Sequence, residues 1–149
     1  MSVDGKSFLG TAQLLLNDGK DEADYRSAIS RAYYACFLAT REIAFRCCDP
    51  GIRKKGSFRR EKDVGHSYLK NCCLRPGVGS AILQLGKDLD HLRGSRDDAD
   101  YEMSQCISSK EATQAVEEAE ALLEDLRQIC PNEIGKALED HIKATCRTT

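Results

Sequence analysis

Residues 91–102, HLRGSRDDADYE, bring one histidine, two arginines, four acids and a tyrosine into a single short stretch. These residue types suit phosphoryl chemistry without a metal. A histidine titrates near neutral pH and can move a proton. An arginine can hold a phosphate and stabilise its developing charge. His91, Arg93 and Arg96 are therefore candidate catalytic residues, but the histidine precedes both arginines. On their downstream side stand Asp97, Asp98, Asp100 and Tyr101. An aspartate holds no proton at neutral pH unless its pKa is strongly raised. A structural reading competes with the catalytic one. Arg96 and Asp100 sit four residues apart, on one face of a helix, and can form an ion pair. Tyr101 belongs to the same cluster, and the hydroxyl of Tyr33 or Tyr34 can complete it.

Two further groups raise the same question. Arg60 and His66 are separated by the five residues EKDVG, so His66 is the second histidine that can be paired with an arginine. Arg53, Lys54, Lys55, Arg59, Arg60 and Lys62 crowd ten residues, opposed within them only by Glu61. Arg53, Lys54, Lys55, Arg59 and Arg60 are candidate contacts to phosphate, with Phe58 placed to stack on a base. The alternative is a solvated loop. The chain also has eight cysteines, with vicinal pairs Cys47-Cys48 and Cys72-Cys73. Adjacent side chains on a helix diverge by about 100°, and no Cys-x-x-Cys occurs, so no metal site is expected. Reduced cysteines packed as small, soft core residues are the expected state.

The elements that must position these groups are helical. A span of 149 residues with 41% hydrophobic and 31% charged residues fits one soluble globular domain over 1–149. A net charge of −2 predicts no general attraction to nucleic acid, so any such site must be local. No stretch approaches the roughly 18 apolar residues needed to span a bilayer. With no signal pattern at the start, a cytoplasmic location is expected. Phe8, Leu9, Ala12, Leu15 and Leu16 mark a first helix over residues 5–18. The spacing then predicts a long helix over 21–48, stopped by Asp49-Pro50-Gly51. A basic loop over 51–63 follows, then a short helix over 64–73. Ala81, Ile82, Leu85, Leu89 and Leu92 place a further helix over 78–93, with Gly94 as a candidate break. Ser108 or Ser109 caps a helix whose stripe runs from Ala112 to Ile129, and Pro131 opens a last one. Short connections make this an all-α antiparallel helical bundle of about five to six helices. The second helix is apolar around most of its surface, as a central helix would be, and as a helix facing a second chain would be. A homodimer is the expectation.

The stretch YRSAISRAYYACFLATREIAF (25–45) resembles the signature helix of the HEPN superfamily, and RDDADY (96–101) resembles that family's Arg-x-x-Ala-Asp-Tyr. The order and spacing of the two motifs extend the resemblance over about residues 5–130. It implies an all-α bundle that dimerises. Many relatives are metal-independent endoribonucleases with an Arg-x(4–6)-His motif, acting as toxins or in antiviral defence. Others work beside a minimal nucleotidyltransferase, and some are non-catalytic. The motif's histidine is missing downstream of Arg96. Three functions follow as expectations. The first is a module binding nucleotide, RNA or a nucleotidyltransferase partner in a prokaryotic toxin–antitoxin or defence setting. The second is a ribonuclease using Arg93 or Arg96 with His91 or His66. The third is a structural adaptor. None needs a cofactor.

Overall fold

A computed structural model describes residues 5–146; the outermost residues of the expected 1–149 domain lie outside that range. The described residues form seven α-helices and one 3-10 turn, with no strand among them. The helices are α1 (Gly5–Asp18), α2 (Glu22–Arg46), α3 (Pro50–Lys55), α4 (His66–Cys73), α5 (Ser80–Tyr101), α6 (Ser109–Gln128) and α7 (Pro131–Thr145). The fold is all-α, as the periodicity predicts. No helix among the described residues is long and apolar enough to cross a membrane.

The helix additional to the predicted five or six is α3, inside the expected basic loop. Its reason is local. The Asp49 carboxylate accepts hydrogen bonds from the Gly51 and Ile52 N–H groups at 2.9 and 3.1 Å, and Pro50 occupies the first helical turn. A side-chain cap and a proline at that position are a strong start signal. The Asp-Pro-Gly that was expected to stop α2 therefore starts α3, and α2 itself ends at Arg46. The helix α3 closes with the Phe58 N–H donating to the Arg53 carbonyl at 2.9 Å and the Ser57 N–H to the Lys54 carbonyl at 3.1 Å. Ser57 holds the left-handed conformation this ending requires, at φ 64°. Residues 61–63 form the 3-10 turn, where the Asp63 carboxylate accepts from the Arg59 and Arg60 N–H groups, each at 2.9 Å. Gly94 does not break α5. Its place is exposed with open space around it, so it costs only the modest helix penalty of glycine, about 1 kcal/mol.

The contacts group into two compact units. The first comprises residues up to Ala39 and Asp88–Glu124. Its core includes Ala28, Ile29, Ala99, Ile107, Ala112 and Ala115, with Leu15, Leu16 and Tyr25 packed against them. Within it Ala35, Cys36 and Phe37 are consecutive and all buried, so α2 is covered on several sides by its own chain. The second unit comprises Thr40–Lys87 and the residues from Asp125 onward. There α7 packs on α3 and α4 and buries Ile134, Leu138 and Ile142. Gly135 lies so close to the Cys47 backbone that a Cβ would collide with it.

Candidate functional site

In the first unit, the stretch HLRGSRDDADY (91–101) is the end of α5. Arg96 lies there with 15% of its side chain exposed. Its Nη1 donates to Asp97 Oδ1 at 2.9 Å, and its Nη2 donates to the Tyr34 hydroxyl at 2.9 Å. Its Nε stands 2.9 Å from Asp100 Oδ2, an approach of opposite charges whose angle is poor for a hydrogen bond. The guanidinium also lies 5.3 Å from the Tyr34 ring centre and 5.4 Å from that of Tyr101. Two carboxylates, one hydroxyl and two ring faces thus surround one cation. Tyr101 itself is 67% exposed and only reaches Arg96 at 3.5 Å through its hydroxyl. Tyr33, by contrast, is a core residue stacked on Phe37 at 6.0 Å, and burial pushes its hydroxyl pKa up.

Of the other candidates in this unit, His91 faces away from Arg96. His91 is five positions earlier, about 140° around the helix, and its Nε2 is 3.2 Å from Glu118 Oε2. It lines a cavity of about 210 Å³ with Asp98, Glu111 and Glu118, an acidic lining unsuited to a phosphate. Arg93 is half-buried, and its charge acts on Tyr33. His66 opens α4 in the second unit, with the 3-10 turn between it and Arg60.

The basic segment, also in the second unit, divides into two groups. Arg53 turns inward and lies 4.2 Å over the Phe45 ring. Phe58 is half-buried against Tyr68, with ring centres 4.9 Å apart, so its ring is not free to stack on a base. Lys54, Lys55, Arg59, Arg60 and Lys62 are all exposed. Arg46, the last residue of α2, pairs with Glu61 at 3.5 Å and with Glu42 at 2.8 Å. The Asp63 carboxyl is held below its ordinary range, first by the Arg60 N–H it accepts from, with the Arg59 N–H adding to it.

Arg26, not among the residues expected from the sequence to form the site, ties α2 to the end of α5. From α2 its Nη1 donates to the carbonyls of Asp98 and Ala99 at 3.2 and 2.8 Å. Its Nη2 donates to the carbonyls of Glu102, at 3.1 Å, and Gln105. The first two carbonyls belong to the last turn of α5 and the other two lie just past its end. Glu22 pairs with Arg26 at 2.9 Å and accepts the Ile107 N–H at 3.0 Å. That N–H, and then Arg26, hold the Glu22 carboxyl below its ordinary value. The available signal was Arg26 as the leading arginine of the Arg-Ser-Ala motif.

Cys36, Cys48, Cys72 and Cys73 are buried, as soft core residues would be, whereas Cys106 and Cys130 are exposed. None of the eight cysteines is in a disulfide, and no group of three His, Cys, Asp or Glu among the described residues is arranged to hold a metal ion. Cys36, whose thiol lies 3.5 Å from the Ala119 carbonyl, is pushed up to about 12 by burial.

No curated protein and no solved structure matches the chain. The model of one family, the HEPN domain, matches residues 4–129. That span takes in the α2 signature, the Arg96–Tyr101 landmark and the helices that hold them, and the chain belongs to the HEPN family.

Proposed function

We propose that this HEPN chain is an RNA-binding module that does not cleave RNA at Arg96. The observation that carries the reading is the exposed cationic ledge of Lys54, Lys55, Arg59 and Arg60, continued by Lys62. None of these side chains makes an ion pair among the described residues, so their charge is available to phosphates. The Arg96 cluster supports the second half of the reading. A guanidinium already held by Asp97, Asp100 and Tyr34 must give up those partners to take a phosphate. The setting we assign is prokaryotic toxin–antitoxin or defence. There the chain acts as a homodimer and beside a nucleotidyltransferase partner, the assemblies the family resemblance implies.

The test is fluorescence anisotropy with labelled single-stranded RNA in EDTA, over a range of salt. Four phosphate contacts give a slope of log affinity against log salt of about −2.8, or roughly 50-fold weaker binding between 50 and 200 mM salt. Changing Lys54, Lys55, Arg59 and Arg60 together to Gln flattens that slope. Absence of salt-dependent binding overturns the reading, as does RNA cleavage that disappears in folded Arg96→Ala.

A further inference from the structure

The second unit contains a cavity of about 470 Å³ lined by Asn71, Leu74, Arg75, Pro76 and His141. Two other cavities, of about 230 and 210 Å³, each have carboxylates in their walls, Glu133 and Asp140 in one and Glu111 and Glu118 in the other. This one has none. Its arginine makes no ion pair among the described residues; the partner of Arg75 is His141, with Nη1 3.4 Å from Nδ1. An arginine can only donate, so the imidazole Nδ1 is the acceptor. A neutral ring then carries its proton on Nε2 and presents a donor there. Burial, and next the Arg75 charge, hold His141 below its usual pKa, which keeps the ring neutral at neutral pH.

The ring is also fixed in place. It meets Tyr68 edge-on at 4.8 Å, and Tyr68 packs on Phe58 at 4.9 Å. The Tyr68 hydroxyl is 3.1 Å from Thr145 Oγ1, which donates to the His141 carbonyl at 2.8 Å. Arg75 sits between the end of α4 and the turn closed by the Val78 N–H on its own carbonyl at 3.3 Å. Arg75, His141 and Asn71, each able to donate a hydrogen bond, line the same cavity. Leu74 and Pro76 supply an apolar wall.

We propose that Arg75, His141 and Asn71 form an anion pocket that seats the phosphate of a nucleotide, with Leu74 and Pro76 against its sugar or base. Fork-shaped donors on arginine suit phosphate oxygens, and the cavity has the size of small-ligand sites. The pocket shares no residue with the cationic ledge or with the Arg96 cluster, and it stands or falls independently of RNA binding at the ledge.

The experiment titrates the full chain with adenosine 5′-monophosphate, adenosine and inorganic phosphate. It is followed by the His141 ring resonances in NMR and by calorimetry. The monophosphate binds and shifts the ring signals, and adenosine binds roughly tenfold or more weakly, the loss expected for a charge-assisted hydrogen bond. Arg75→Gln and Asn71→Ala each weaken the monophosphate while the thermal melt stays in place. Asn71→Ala, on the exposed side of α4, keeps the test sound if Arg75→Gln does not fold. RNA carrying a 5′-phosphate, compared with the same RNA ending in a hydroxyl, distinguishes a strand end from a free nucleotide as the source. Either source supports the pocket. The four-residue ledge variant leaves monophosphate binding unchanged. Equal binding of adenosine and its monophosphate, or binding indifferent to Arg75 and Asn71, overturns the proposal.

Discussion

Replacing Arg26 by Met keeps much of the side chain's bulk and removes every hydrogen bond of the guanidinium. The wild-type side chain is only 12% exposed and donates to four carbonyls at the end of α5 and just beyond it. Three of those bonds lie at the surface, where water can replace the arginine at little cost. The bond to Ala99 is partly buried, at 2.8 Å, and its carbonyl belongs to a residue 1% exposed. A lost hydrogen bond to a charged donor costs about 1.5–3 kcal/mol, and leaving a buried acceptor unsatisfied keeps the cost in the upper part of that range. The expected destabilisation is about 3 kcal/mol. For a chain of this length that lowers the melting temperature by roughly 6–12 °C. Arg26→Lys does not restore it, because an ammonium cannot span carbonyls that the planar fork reaches together. Arg31→Met on the same helix is the control. Arg31 is exposed and lies 5.5 Å over the Phe8 ring, so its loss costs under about 1 kcal/mol. Urea denaturation followed by circular dichroism measures all three. If Arg26→Met matches Arg31→Met, the α5 carbonyls exchange to water without penalty and the clamp has no energetic meaning.

Four other outcomes follow from the same geometry. Arg96→Met strands Asp97 and Asp100 without their cation and destabilises the chain by about 2 kcal/mol in urea melts, while Asp100→Asn, with Asp97 still paired, costs less. Gly135→Ala forces a Cβ into the Cys47 backbone and loses about 2–3 kcal/mol or more, measured the same way. In a native thiol titration, Cys106 and Cys130 react quickly, whereas Cys36 and Cys73, each pushed up to about 12 by burial, react only after unfolding. Because the folded Glu22 and Asp63 carboxyls lie below their unfolded values, their stabilisation is complete above the unfolded pKa and fades as pH falls through the folded one. The melting temperature therefore drops below about pH 4.5, and Glu22→Gln reduces that drop.

Much of this protein was legible from periodicity alone. The stripes at helical spacing placed α1, α2, α6 and α7 within a few residues of their ends, because burying an apolar face is a local pattern repeated every turn; they placed the start of α5 but not its end, which lies past Gly94 at Tyr101. The i to i+4 relation of Arg96 and Asp100 was readable in the same way, since a helix sets that geometry by itself. The motif order in α2 and at Arg96–Tyr101 pointed to the family. The segment after α2 was harder, because its basic composition looks like a loop while its structure depends on one cap: Asp49 with Pro50 made it begin as α3.

What the tertiary structure alone decided is which groups meet across long stretches of chain. Nothing in the order of residues joins Arg26 to carbonyls more than seventy positions away, or Tyr34 to Arg96. The same holds for Arg75 and His141, each unremarkable in its own segment and brought together by the packing of α4 on α7. Sequence determines helices through local hydrogen bonding and a repeating apolar face. Partners for a charge depend on which helix surfaces come together, and that is settled only when the core closes.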